Sequence, residues 1–127
     1  MPPDSHPVEM WLEKAEHDRS AANRLFTPGC IELAVIGFLC QQAIEKFLKA
    51  WLVSRNIEPE YIHDLRRLAD ACAALDASFV ELIDAVSPIT AFAIVARYPG
   101  PAKPQLASVQ TALRVVEEVR QFVMARL

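Results

Sequence analysis

Apolar residues along this chain recur at intervals of three and four, the spacing that places them on one face of an α-helix. Val8, Trp11, Leu12, Ala15, Ala22, Leu25 and Phe26 trace the first such face and predict a helix over residues 8–26, with charges opposite. Asp18 falls on the same stripe, between Ala15 and Ala22. A carboxylate among apolar neighbours is costly unless paired, so Asp18 is expected to bind a cation or hydrogen-bond a neighbouring helix. Lys46 and Arg97 are its candidate partners. Thr27-Pro28-Gly29 then breaks the pattern.

A second helix is predicted over residues 30–56. Its first half is apolar nearly all round, as in a helix packed on several sides. Its second half separates Ala43, Ile44, Phe47, Leu48, Trp51 and Leu52 from a line of Gln42, Glu45, Lys46 and Lys49. Gly37 inside this helix costs about 1 kcal/mol against alanine, which points to close approach of a neighbouring helix. After a connection containing Pro59, His63 or Asp64 can cap a third helix with the stripe Leu65, Leu68, Ala69, Cys72 and Leu75. Ser78-Phe79-Val80-Glu81 has the form of a capping box for a fourth, carrying Phe79, Leu82, Ile83 and Val86. Pro88 should kink that helix, and the stripe resumes through Ile89, Phe92, Ala93 and Ala96 before Arg97-Tyr98-Pro99-Gly100-Pro101 ends it. A last helix begins near Pro104, with Leu106, Val109, Leu113, Val116, Val119 and Val123 on one side. No segment alternates with period two. The expected fold is all-α, a five-helix bundle in which short connections favour antiparallel neighbours.

Composition narrows the function classes. The length of 127 residues fits one domain over residues 1–127, and 53% hydrophobic with 23% charged residues excludes a disordered chain. The net charge of −3 gives no global attraction to nucleic acid or anionic lipid, though a local basic patch stays open. Cys30, Cys40 and Cys72 lack zinc-ligand spacing and sit in apolar stretches, as core thiols in a reducing compartment do. The N-terminus shows no basic stretch followed by an apolar core, and the apolar run over residues 31–40 is too short to span a bilayer. A cytoplasmic protein without a membrane partner is expected.

Catalytic patterns are missing. Three glycines cannot build a phosphate loop, His6, His17 and His63 stand apart without HExxH spacing, and no serine sits in a GxSxG elbow. No metal, cofactor or self-contained set of catalytic residues is expected.

Four stretches together resemble the HEPN family, the higher eukaryotes and prokaryotes nucleotide-binding domain. They are Trp11-Leu12-Glu13-Lys14-Ala15-Glu16-His17-Asp18 with Ala21-Ala22; Cys40-Gln41-Gln42-Ala43-Ile44-Glu45-Lys46-Phe47-Leu48-Lys49-Ala50; His63-Asp64-Leu65 with Leu68; and Ala96-Arg97-Tyr98-Pro99-Gly100. The resemblance implies an up-and-down four-helix core, a homodimer, and a nucleotide ligand or a minimal nucleotidyltransferase as partner in a toxin–antitoxin-like module. Some relatives are ribonucleases that carry an arginine and a histidine four to six residues apart. No arginine of this chain is followed by histidine at that distance, which argues against RNA hydrolysis by the family route. RNA stays open as a ligand, and a pure protein-interaction module stays open as a function.

The candidate ligand-binding residues are therefore Gln42, Lys46, Lys49, His63, Asp64, Arg97 and Tyr98. Each has a plainer reading. Gln42, Lys46 and Lys49 fit a solvated face or a dimer rim, and His63 and Asp64 fit a helix start. Arg97 suits a helix C-terminus as well as a phosphate, and Tyr98 can stack on a base.

Overall fold

Burial centres on helix α2 (Leu33–Ser54), which the helices around it enclose along most of its length. Ile36, Cys40, Ala43, Ile44, Phe47, Leu48, Trp51 and Leu52 are all essentially inaccessible, so its apolar first half and apolar stripe are used on several sides at once. The computed structural model describes residues 7–95 and 103–127. It places α1 over Pro7–Leu25, α3 over Leu65–Leu75, α4 over Val80–Val86, α5 over Ala91–Val95 and α6 over Leu106–Met124. No strand occurs among the described residues. Residues Arg97 and Tyr98 lie outside them.

Paired residues give the helix directions. Asp18 meets Lys46, and Lys49 lies over Trp11, so α1 runs antiparallel to α2. Arg19 bonds Glu117 and Arg120 bonds Glu16, so α6 is antiparallel to α1. Phe79 stacks near Trp51 while Phe92 lies against Gly37, so the α4–α5 segment runs back along α2. These four elements alternate as an up-and-down core. Helix α3 is the exception: its start meets Gln41, its Cys72 meets Leu48 and its end meets Trp51, so it runs in the same direction as α2. The reason is the end of α2. Asn56 adopts φ 62°, and the amides of Asn56 and Ile57 bond back to the carbonyls of Val53 and Leu52. This left-handed cap stops the helix earlier than its apolar pattern suggests and turns residues 55–64 back along the bundle.

The fourth segment departs from a simple kinked helix. Pro88 sits in a 3-10 stretch, Ser87–Thr90, that joins α4 to α5. Its start also differs, because Asp76 takes the capping role expected of Ser78. The Asp76 Oδ1 accepts from the Ser78 amide at 3.0 Å and from the Ser78 hydroxyl at 2.6 Å, opening a 3-10 turn over Ala77–Phe79. The stretch Ala77–Ile94 is long and apolar enough to cross a membrane by length and composition alone. In the bundle its apolar side is packed, with Phe79, Leu82, Val86, Ile89 and Phe92 in the core.

Gly37 has the expected cause. A Cβ there would stand 2.5 Å from Phe92 Cε1 and closer still to Cδ1, so the ring of α5 rests directly on the α2 backbone. At the opposite end Trp51, Phe79 and Phe122 form a ladder with centroid spacings of 4.5 and 4.8 Å in tilted and edge-on arrangements. Outside the core, Arg19 grips Glu117 through both Nε at 2.5 Å and Nη2 at 2.8 Å, while Arg120 reaches Glu16 at 2.6 Å. This α1–α6 ladder holds the Glu117 carboxyl below its ordinary range, chiefly through the Arg19 hydrogen bond.

A buried polar seam on the central helix

The polar line on α2 is not a solvated face. Gln41, Glu45 and Lys49, at successive i, i+4 positions, are 0%, 4% and 5% exposed, closed in by α1 on one side and by the start of α3 on the other. Such groups are tolerated inside a bundle only when every charge and polar atom finds a partner. Here they do. Glu45 Oε2 accepts from Lys49 Nζ at 3.0 Å. Its Oε1 accepts from Gln41 Nε2 at 3.0 Å and meets His63 Nδ1 at 2.7 Å. Gln41 Nε2 also donates to the His63 carbonyl at 3.1 Å, and its Oε1 accepts from Gln42 Nε2 at 2.7 Å. Lys49 Nζ stands 5.4 Å from the centroid of the Trp11 ring, within cation–π range.

Two consequences follow for the residues expected to bind a ligand. Lys49 has its ammonium committed to Glu45 and Trp11 inside the bundle, so its role is to neutralise Glu45 rather than to reach a phosphate from where it stands. His63 is the member of the seam that opens outward, its side chain 46% exposed while Nδ1 is tied to a buried carboxylate. A carboxylate at Nδ1 favours a proton on that nitrogen and fixes the ring plane.

Lys46 directly follows Glu45 and stands beside the seam on the half-buried side of α2, where its Nζ pairs with Asp18 at 2.5 Å. That settles the partner of Asp18: the carboxylate on the apolar stripe of α1 is held by Lys46. Both side chains keep about a fifth of their surface, 20% and 19%, so this pair borders solvent whereas Glu45–Lys49 does not. Gln42 is likewise half-buried and lies one turn before Lys46 on the same side of α2.

Asp64 caps α3, its Oδ1 accepting from the amides of Arg66 at 3.0 Å and Arg67 at 3.4 Å. Thr90 Oγ1 takes the Leu65 amide at 2.9 Å. The first amides of α3 are thus already used, which removes the helix start as a ready phosphate cradle. Gln42, Lys46 and His63 remain as the candidate ligand residues that border solvent among the described residues, with Asp64 exposed beside them.

Glu45 and Gln41 are the functional-looking residues that patterning did not mark as buried. The available signal was their spacing at i and i+4 inside a helix apolar on its other sides. No group of three or more potential metal ligands gathers among the described residues.

The arrangement can be set beside known proteins. No curated protein matches the chain. Among solved structures, the crystal structure of TT1696 from Thermus thermophilus superposes with a TM-score of 0.77 at 26% identity, covering 94% of this chain and 98% of that one. The family model described as HEPN domain matches residues 8–127. By that match over nearly its whole length, the chain belongs to the HEPN domain family.

Proposed function

We propose that this chain is a HEPN binding module that takes a nucleotide on the α2 face bearing Gln42 and Lys46, with His63 at its edge, and that it works as a homodimer. The observation that carries the reading is the Glu45 seam. A bundle core gains little stability from a buried ion pair compared with apolar side chains of the same size, whereas a ligand site needs its polar groups held in one geometry. Glu45 holds His63 in that way, through a 2.7 Å contact made from inside the core. In this reading the Gln42 amide and the Lys46 ammonium meet phosphate oxygens, and His63 with Asp64 meets base or ribose. Arg97 and Tyr98 join the site on the likeness of residues 96–100 to the family pattern. Titration calorimetry with ATP and with GTP tests it: a binding isotherm that weakens in His63→Ala is expected, and no heat at millimolar nucleotide removes the nucleotide half of the proposal.

A second reading, a protein-interaction module serving a minimal nucleotidyltransferase, is favoured by a separate observation. Ile31, Val35, Ile94 and Leu106 are 86%, 47%, 60% and 50% exposed at the end of the bundle where α2 and α6 begin. Large apolar side chains left open at one end suit a partner surface. Co-purification from the native host separates the two readings, because a bound nucleotide and a bound nucleotidyltransferase would each be recovered in the same preparation.

A further inference from the structure

One buried side-chain polar atom among the described residues has no hydrogen-bond partner, and it is the indole Nε1 of Trp51. Trp51 is 1% exposed and lines an open cavity of about 590 Å³ together with Arg55, Leu75, Asp76 and Ala77. The cavity sits where α2 and α3 end and the 3-10 turn begins.

The polar groups around it are unevenly used. Asp76 is engaged, its Oδ1 by the amide and hydroxyl of Ser78 and its Oδ2 standing 3.9 Å from Arg126 Nε. Arg126 also donates to Ser78 Oγ at 3.1 Å and lies over the Phe122 ring. Arg55 is exposed, with its guanidinium 4.9 Å from the Trp51 ring centroid and one hydrogen bond, from Nη2 to the Arg126 carbonyl at 2.8 Å. A guanidinium carries five N–H donors. Donors are in excess here, because two guanidinium groups, Arg55 and Arg126, stand near the one carboxylate that lines the cavity.

We propose that this cavity is an oxyanion site that takes a carboxylate or phosphate group between the Arg55 guanidinium and the Trp51 indole N–H. Binding turns the exposed Arg55 side chain from the ring toward the anion and opens the enclosed indole N–H to the same group. The site is separate from the α2 face carrying Gln42 and His63. Arg55 lies ten residues beyond Glu45, about 15 Å along the helix axis at the rise of an α-helix. It therefore stands or falls independently of the nucleotide reading.

The chain holds two tryptophans, so a ¹⁵N-labelled sample gives two indole N–H resonances, assigned with Trp11→Phe. Sodium phosphate and sodium acetate are titrated separately at constant ionic strength, with sodium chloride as the reference salt. The expected result is a saturable shift of the Trp51 resonance with at least one of the two oxyanions, weakened about tenfold in Arg55→Ala by loss of a charge-assisted hydrogen bond. Response to phosphate alone, acetate alone or both identifies the group the site accepts. A shift of Trp11 instead reports the neighbourhood of Lys49 and counts against this site unless Trp51 also moves. The proposal is overturned if the Trp51 resonance stays in place with both anions, if chloride moves it equally, or if Arg55→Ala binds as well as the native chain.

Discussion

Substitution within the Glu45–Lys49 pair tests whether the polar seam is truly enclosed. The two side chains are 5% and 6% exposed and 3.0 Å apart, so removing one partner strands a charge in the core. Glu45→Leu leaves the Lys49 ammonium with only the Trp11 ring, and the expected cost is about 3–5 kcal/mol. Lys49→Met leaves Glu45 with Gln41 and His63 still donating, so the loss should be smaller, about 2 kcal/mol. The double variant removes both charges and replaces them with apolar groups of similar length. It should therefore be more stable than Glu45→Leu alone, although Gln41 and His63 then lose an acceptor. Urea unfolding followed by circular dichroism reads these differences as midpoints. At a slope of about 1.5 kcal/mol per molar, Glu45→Leu should lower the midpoint by about 2–3 M. A Glu45→Leu variant within about 0.5 kcal/mol of the native chain, or a double variant whose loss equals the sum of the singles, would refute the reasoning. Either result would mean that the pair is solvated.

Three further outcomes are expected. Gly37→Ala gains about 1 kcal/mol of helix propensity but drives a methyl into the Phe92 ring, and a net loss of about 1–3 kcal/mol should appear in the same urea assay. Cys40 and Cys72 are enclosed, and burial pushes both thiols up to about 12, so neither should react with a disulfide reagent at pH 8 in the folded protein while half-buried Cys30 does. Glu117 has its pKa depressed by Arg19, so it contributes stability that is present above the ordinary value of 4.5 and is lost as pH falls through its lower folded value. The stability difference between the native chain and Glu117→Gln should accordingly be constant from pH 8 to pH 6 and shrink below the ordinary value, as thermal unfolding at a series of pH values would show.

Much of the fold is legible in the chain because helical apolar stripes and burial coincide. The stripe residues Leu65, Leu68, Ala69 and Cys72 are all core, as are Val109, Val116, Val119 and Val123. What escaped depends on tertiary contacts that no local pattern encodes. The direction of α3 follows from the Asn56 cap, a single left-handed residue within an otherwise helical-looking run. Asp76 and Ser78 are both good capping residues two positions apart, and only the geometry shows that the first caps and the second donates to it. The 3-10 stretch around Pro88 keeps the apolar stripe in phase, so Ile89 and Phe92 reach the core that the periodicity assigned them.

The site was harder to read for a related reason. Gln42, Glu45, Lys46 and Lys49 at helical spacing have the appearance of a solvated face, and a charge pattern on one helix does not reveal what lies across from it. Glu45 is enclosed because residues 55–64 return along the bundle and deliver His63 to it, a contact between positions 18 residues apart. The Asp18–Lys46 pair was easier, since a carboxylate on an apolar stripe demands a cation and few were available.

The most direct test of the nucleotide reading follows the His63 imidazole by NMR during titration with ATP. The account predicts that the His63 ring resonances and the Gln42 side-chain amide move together and saturate with one dissociation constant, equal to that from calorimetry. Calorimetric binding that leaves both residues unmoved, or no response of either at millimolar ATP, would contradict it.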